Sequence, residues 1–290
     1  SMVRDRAGRP STRHRPGRRL ARTLGIVGKR PGAIVALGFA ALIGIGTGVL
    51  MLPAASASGT GTDPVTAVFT ATSAVCITGL IVVDTSAHWS TLGQSVIIGL
   101  VQIGGLGIMS FAALLSLLVF HRFGLQMQLS AQTERGVASL GDVRQVAVAV
   151  FRISVLWELC LAAVLTGRFL LGYDQPLPRA AYLGLFHAIA AFNNAGFALF
   201  PDNLMGFAQD WWICLPIIVT SIAGGLGFPV LIELRRRVPG RWTLHTKITI
   251  VSSALLLVVG TAVVLAVEWT NSATLGPLSV PGKLLAGLFH

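Results

Sequence analysis

The chain contains the stretch Phe69-Thr-Ala-Thr-Ser-Ala-Val-Cys-Ile-Thr-Gly79, and the stretch Phe186-His-Ala-Ile-Ala-Ala-Phe-Asn-Asn-Ala-Gly196 repeats its pattern. In both stretches a short apolar segment runs from a phenylalanine to a glycine ten residues later. The sequence ends on Phe289-His290, which matches the beginning of the second stretch. A short apolar helix with a glycine-marked return segment is therefore written twice and begun a third time.

The composition of the chain is that of a membrane protein. Hydrophobic residues make up 53% and charged residues 11%, whereas soluble domains carry about 25% charged residues. A soluble helical bundle would show polar helix faces, and these apolar runs mostly do not. Each run has about 20 residues or more, enough to cross roughly 30 Å of hydrocarbon. We predict an all-α membrane protein with about five transmembrane helices, at residues 33–52, 95–120, 146–171, 211–234 and 248–267.

The net charge of +11 is concentrated at the beginning of the chain, where residues 1–30 hold ten of the 22 basic side chains. Because basic residues favour the inner side of a membrane, the N-terminus is expected in the cytoplasm. The same 30 residues are poor in apolar side chains and predict a disordered basic cytoplasmic arm. Its attachment to a membrane span favours anionic lipids over nucleic acid as its ligand.

Short apolar segments between the spans predict re-entrant pore helices. Asp63-Pro64 is a helix-start signal for residues 65–75, which are too few to cross a bilayer. Residues 76–80 are then expected to return in an extended form. Pro178 similarly precedes a helix over residues 179–192, with a return at 193–197, and Val280-Pro281-Gly282 begins a third such helix.

A second pair of similar segments supports duplication of the whole unit. Gln102-Ile-Gly-Gly-Leu-Gly-Ile108 matches Ile222-Ala-Gly-Gly-Leu-Gly-Phe228 at an offset of 120 residues, and Gly79 and Gly196 are 117 residues apart. Two matches at nearly one offset indicate a repeat. The predicted organisation begins with a basic arm at residues 1–30 and a first helix–pore–helix unit at residues 31–120. A cytoplasmic loop at residues 121–145 leads to a second unit at residues 146–237. Residues 238–290 form a further loop, the first helix of a third unit and the start of its pore helix.

The return segments are the candidate ion-binding sites. A cation that leaves water needs oxygen ligands, which backbone carbonyls supply, and glycine permits the close approach this requires. Pore helices that end at these segments would direct their negative ends toward the cation. The alternative is that Gly79 and Gly196 only cap helices. The predicted selectivity filters are Cys76-Ile77-Thr78-Gly79 and Asn193-Asn194-Ala195-Gly196.

These motifs, in this order, resemble the Trk/Ktr/HKT superfamily of potassium transporters from residue 31 to the end. The resemblance implies a bacterial inner-membrane protein with four membrane–pore–membrane units around one potassium path, which sodium could also use. It further implies a homodimer, a cytoplasmic nucleotide-binding regulatory ring and no organic cofactor. Each unit would contribute one filter, so the chain is expected to be truncated after the second unit. The carbonyls implied to face the ion are those of Ile77, Thr78, Asn194 and Ala195.

Several alternatives remain open from the sequence. A non-conducting fragment of such a transporter would have the same residues. An integral membrane enzyme would use His187, Asn193, Asn194 and Glu158, although no nucleophile or metal set accompanies them. For Glu158 we favour a structural hydrogen bond over a role in transport. We expect His187 at the membrane interface and all three cysteines, Cys76, Cys160 and Cys214, as buried thiols.

Overall fold

The structure is a computed structural model that describes residues 31–127, 140–235 and 242–290. These residues form helices joined by short connections, and no strand occurs among them. The predicted basic arm, residues 1–30, lies outside the described residues. The chain divides into two compact units, Ser1–Ala41 and Leu42–His290. The first unit contributes only the first turns of one helix to the described part, and every contact discussed below belongs to the second.

The helices follow the predicted order of long, short and long elements. The first repeat contains α1 (Pro31–Leu50), α2 (Pro64–Val75), α3 (Thr85–His88) and α4 (Thr91–Met127). The second contains α5 (Leu140–Gly172), α6 (Leu177–Phe192), α7 (Trp211–Leu226) and α8 (Phe228–Arg235). The third begins with α9 (Leu244–Glu268) and α10 (Val280–Phe289). Helix therefore covers residues 121–127 and 140–145, at both ends of the segment assigned to a cytoplasmic loop.

The chain is an all-α membrane protein. Among the described residues, the segments Thr91–Ser110, Ala147–Gly172 and Leu244–Glu268 are long and apolar enough to cross a bilayer. The pair α7 and α8 makes a fourth crossing if it counts as one span. The remaining predicted span corresponds to α1, whose apolar part, Val35–Leu50, is one of the shorter apolar helices.

The second repeat departs from the predicted form because its last span is broken. The axes of α7 and α8 differ by 107°, and Gly227 between them has φ 82°. Pro229 explains the break: proline lacks an N–H, and its ring collides with the carbonyl four residues earlier in a continuous helix. The corresponding glycine of the first repeat, Gly107, precedes Ile108-Met109 instead and lies inside the uninterrupted α4.

The three predicted pore helices, α2, α6 and α10, begin in similar ways. Asp63 caps α2 by accepting hydrogen bonds from the backbone N–H groups of Val65 and Thr66, and Ser279 caps α10 by accepting one from Gly282. Each of α2, α6 and α10 has a proline in its first turn, where the missing N–H costs nothing. At 1.5 Å per residue the 12 residues of α2 span about 18 Å, which is too short to cross a bilayer.

Helix packing brings the two repeats together. α2 packs on α4, and α6 packs against α5 and α7 of its own repeat. α4 of the first repeat also packs against α6, so the long helix of one repeat supports the pore helix of the next. α10 in turn packs against α7 and α9. This arrangement places the ends of α2 and α6 side by side.

Candidate ion-binding segments

The two predicted filters have the same backbone hydrogen bonds. In the first, Ile77 N–H donates to the Ala74 carbonyl at 3.3 Å and Thr78 N–H to the Ser73 carbonyl at 2.9 Å. In the second, Asn194 N–H donates to the Ala191 carbonyl at 3.0 Å and Ala195 N–H to the Ala190 carbonyl at 2.8 Å. Donors and acceptors correspond at the 117-residue offset of the filter glycines, so the duplication extends to the backbone.

The conformation of these segments differs from the extended return that the sequence predicts. Ile77 and Asn194 have φ of 58° and 54°, and Gly79 and Gly196 have φ of 69° and 74°. The residue between each pair has a negative φ, so the sign alternates along both segments. The hydrogen bonds and the left-handed residue form a Schellman-type turn. Ile77 and Asn194 therefore end the pore helices, and the glycines lie two residues beyond, which argues against a role as helix caps.

The turn has a consequence for the carbonyl groups. The N–H groups of Cys76, Ile77 and Thr78 all donate to carbonyls at the end of α2. A right-handed residue followed by a left-handed one places successive N–H groups on one side of the chain, and we expect the carbonyls on the other side. The negative end of each pore helix lies directly behind its filter, where it favours a cation.

Gly79 and Gly196 lie against each other. A methyl group added to Gly79 would come within 2.5 Å of the Ala195 carbonyl oxygen and 3.0 Å of the Gly196 Cα. One added to Gly196 would come within 3.2 Å of the Gly79 Cα. Both the positive φ and this close approach require glycine. The two filters therefore meet at the residues that the sequence singles out.

A cavity of about 780 Å³ opens next to the two glycines. Asp84 and Asp202 contribute carboxylates to its lining. The side chain of Asp84 accepts hydrogen bonds from the Ser86 hydroxyl at 2.6 Å and the Ser86 N–H at 2.7 Å. These bonds, the hydroxyl first, lower the pKa of Asp84 below its usual value. Its carboxylate is therefore charged at neutral pH, and the cavity carries negative charge.

The Gly-Gly-Leu-Gly motifs support the pore helices from behind. A methyl group on Gly104 of α4 would overlap the carbonyl of Val75, the last residue of α2. A methyl group on Gly224 of α7 would overlap the carbonyl of Phe192, the last residue of α6. The first glycine of each motif thus allows a long helix to contact the end of its pore helix, a close packing that small residues permit.

Each filter is also held by side chains, and these differ between the repeats. In the first, the Ser73 hydroxyl donates to the Leu80 carbonyl at 2.7 Å and accepts from the Thr78 hydroxyl at 3.0 Å. In the second, Ala190 occupies the position of Ser73, and Asn193 provides the polar contact. No sequence signal marks Ser73 as a contact of the filter, because a serine inside an apolar helix commonly bonds to its own backbone.

Asn193 connects the second filter with both long helices. Its Nδ2 donates to the Gln102 Oε1 of α4 at 3.1 Å, to the Ile189 carbonyl at 2.9 Å and to the Glu158 Oε1 of α5 at 3.4 Å. Asn193 and Glu158 are 3% and 5% exposed. Glu158 thus accepts a hydrogen bond of the kind that the sequence favours for it. Gln102 stands in the quoted repeat motif, but its link to a residue 91 positions away carries no local signal.

Two expectations from the sequence are wrong. His187 is 3% exposed and not interfacial. Its Nδ1 lies 2.7 Å from the Leu183 carbonyl, its Nε2 accepts from Leu199 N–H at 3.3 Å, and its ring stacks on Phe200. Both ring nitrogens thus bind the backbone around the second filter. Of the cysteines, only Cys214 is buried, while Cys76 and Cys160 are exposed.

Comparison with known proteins identifies the family. The model of the TrkH family, described as cation transport proteins, matches residues 30–278. The chain belongs to the TrkH family. The Trk/Ktr resemblance of the sequence motifs is thereby confirmed.

Three relatives of this TrkH-family chain are named as uptake proteins of bacteria. It is 38% identical over 264 residues to Ktr system potassium uptake protein B of Bacillus subtilis, an alignment covering 90% of this chain and 58% of the relative. The protein of the same name from Vibrio alginolyticus is 36% identical, with 89% and 56% covered. Potassium/sodium uptake protein NtpJ of Enterococcus hirae is 33% identical, with 84% and 54% covered. The chain spans little more than half the length of these relatives.

Proposed function

We propose that this chain supplies two of the walls of a pathway that carries potassium across a bacterial inner membrane. The ion is held by backbone carbonyl oxygens at the place where the two filters meet. Glycine at the end of each filter allows the two segments to approach closely. The carbonyls that face the ion are those of Ile77, Thr78, Asn194 and Ala195. The carbonyls of Cys76 and Asn193 come next along the path, and the two filters touch at Gly79 and Gly196.

The observation that carries this proposal is the repeated backbone of the two filters. Hydrogen bonds to the pore helix occupy the N–H groups of the first three residues of each filter, which leaves the carbonyls of these residues for another partner. Carbonyl oxygens replace the hydration shell of a potassium ion without adding charge. The negative helix ends behind the filters and the carboxylates of the neighbouring cavity favour a cation.

The relatives support potassium as the substrate. Two are named as potassium uptake proteins and one as a potassium/sodium uptake protein, so sodium is the second candidate ion. Transport through carbonyl filters involves no covalent step. The membrane potential drives entry of the cation, at about 2.3 kcal/mol per charge per 100 mV.

The assembly belongs to the same proposal. The names of two relatives refer to a Ktr system, which supports a separate regulatory subunit. We take this to be a cytoplasmic nucleotide-binding ring, and the membrane protein to be a homodimer. The excess of basic residues at positions 1–30 supports a cytoplasmic N-terminus that contacts anionic lipids.

The filter assignment is tested by ion flux through the full-length transporter in liposomes. Gly79→Ser and Gly196→Ser should each lower the ratio of potassium to sodium flux, because a side chain crowds the other filter at both positions and the positive φ of each glycine strains any other residue. Gly48→Ser in α1 is the control, since a Cβ at Gly48 has open space around it. Unchanged selectivity in both filter variants, with the control also unchanged, would contradict the assignment.

A second experiment addresses the non-conducting fragment. The 290-residue chain and the full-length transporter are reconstituted separately, and potassium flux is measured in both. Flux through the full-length protein alone would mean that these residues are walls of a pathway that needs further units. No potassium flux through either protein would contradict the proposed function.

A further inference from the structure

Glu158 carries a carboxyl group in the middle of the apolar helix α5 and is nearly inaccessible to solvent, at 5% exposure. An ionisable side chain at such a place in a membrane is costly and needs a polar partner. Its partners are two amide side chains, Asn193 at 3.4 Å and Gln102. Neither of the two cavities that contain Gly196 is lined by Glu158. The carboxyl group therefore lies behind the second filter and does not face an ion in front of it.

Both the nitrogen and the oxygen of the Asn193 side-chain amide are enclosed by neighbouring residues. Its Nδ2 has two hydrogens and three acceptors, on Gln102, Ile189 and Glu158, at 2.9–3.4 Å. Its Oδ1 is buried without a hydrogen-bond partner and lies where a Cβ on Gly105 would be. A rotation of the amide would leave buried donors unpaired, which is costly in a site closed to water.

This enclosure acts on the filter backbone. Asn193 is the C-cap residue of α6, with φ −82° and ψ −1°, and the next residue, Asn194, has the left-handed φ of 54°. Fixing the Asn193 side chain to α4 and α5 limits rotation about its own backbone bonds. The carbonyls of Asn193 and Asn194 are then held in one direction.

The first filter has no equivalent of this contact within the described residues. Cys76 occupies the position of Asn193 and is exposed, and a thiol is a weak hydrogen-bonding group. The two filters thus share a backbone but differ in how firmly it is tied to the surrounding helices. In the size-fit account of ion selectivity, a filter held at fixed dimensions discriminates between ions of different size.

From these contacts we infer that Glu158 is a positioning residue for ion selectivity: it holds Asn193, and through Asn193 the carbonyls of the second filter. This inference rests on the proposed function. What the site requires of Glu158 is an acceptor oxygen at the Asn193 amide. A glutamine at position 158 keeps such an oxygen, whereas an alanine does not.

The test compares Glu158→Ala, Glu158→Gln and Ser154→Ala in the full-length transporter, reconstituted in liposomes with potassium or sodium as the probe ion. Ser154 is the matched control, because it is a buried polar residue one turn from Glu158 that bonds only to its own helix, at the Val150 carbonyl. Glu158→Ala should lower the potassium-to-sodium flux ratio about tenfold, because it removes one of the three acceptors that hold the Asn193 amide in place. Glu158→Gln and Ser154→Ala should stay within about twofold of the wild type, since both leave the Asn193 bonds intact.

A second variant covers the case in which Glu158→Ala does not fold. Gln102→Leu removes a different acceptor of Asn193 and should lower the flux ratio while Glu158 remains. A folded Glu158→Ala protein with wild-type selectivity overturns the inference, as does Glu158→Gln if it loses as much as Glu158→Ala, because charge would then be the requirement. A wild-type protein that carries no potassium overturns the proposed function instead, so the two failures are distinguishable.

Discussion

At the scale of single residues, Ile77 is the strained position of the first filter. It is β-branched and has φ 58°, a left-handed conformation that costs an L-residue about 1–2 kcal/mol. The corresponding Asn194 has φ 54°, and asparagine accepts this region more readily. Strain of this kind persists where surrounding structure imposes it, and such places are commonly functional.

We predict that Ile77→Asn gives a more stable protein than Ile77→Val. Valine keeps the β-branch and therefore the strain, while asparagine reduces it by about 1 kcal/mol. The thermal unfolding midpoints of the two full-length variants in detergent provide the measurement. A midpoint for Ile77→Val equal to or above that of Ile77→Asn would contradict the assignment of strain.

Residue chemistry explains which parts of the site could be predicted. Gly79 and Gly196 stand out because only glycine combines a positive φ with such close contact. The left-handed Ile77 could not be predicted, since a β-branched residue is among the least expected there. The buried His187 and the Gln102–Asn193 bond depend on contacts between distant segments, which periodicity does not encode.

At the scale of helices, the contact between a long helix and its pore helix depends on a few glycines. Gly104 and Gly99 both lie in α4, but only Gly104 faces the end of α2. A Cβ at Gly104 overlaps the Val75 carbonyl, whereas a Cβ at Gly99 meets nothing within 4 Å. The same substitution thus has opposite consequences at two positions of one helix.

We predict that Gly104→Ala lowers both stability and transport, because α2 must move away from α4 and carries the first filter with it. Gly99→Ala is the matched control and should stabilise the protein by up to about 1 kcal/mol through the better helix propensity of alanine. Thermal unfolding and potassium flux of the two variants test this. Equal effects of the two substitutions would argue that Gly104 does not set the helix contact.

The helix pattern also shows where the second repeat differs from the first. Caps and prolines predict the short helices well, because Asp63-Pro64 and the other start signals act locally. The 107° break after α7 was not predicted, since the Gly-Gly-Leu-Gly motif is the same in both repeats. The difference lies in Pro229, two residues beyond the motif, where proline disfavours a continuous helix.

At the scale of the whole molecule, the apolar runs and the two offsets predict an all-α membrane protein built from repeats. They do not predict that the two filters touch, because this contact joins residues more than one hundred positions apart. It arises when α4 of one repeat packs behind α6 of the next. The cavity beside the filters, with Asp84 and Asp202 in its lining, is a further result of that packing.

These two carboxylates should concentrate cations in the cavity beside the filters. We predict that the double variant Asp84→Asn, Asp202→Asn lowers the initial rate of potassium uptake several-fold at about 10 mM ionic strength, where charges act over about 30 Å. The difference should shrink at about 0.3 M salt, because screening shortens that range to less than 10 Å. Uptake by the full-length transporter in liposomes is the measurement.

The contribution of Asp84 to potassium uptake should not depend on pH in the neutral and mildly acidic range. The pKa of Asp84 lies below its usual value, so its charge is retained as the pH falls and is lost only when the pH drops through that lowered pKa. The part of the uptake that depends on Asp84 should therefore not change when the outer pH is lowered from about 7.5 to 5.5, well above the ordinary aspartate pKa of about 4. Asp174→Asn is the control, because Asp174 is exposed but is not among the residues that line this cavity. A loss of uptake that does not depend on salt, or an equal loss in the control, would argue against attraction of cations by Asp84 and Asp202.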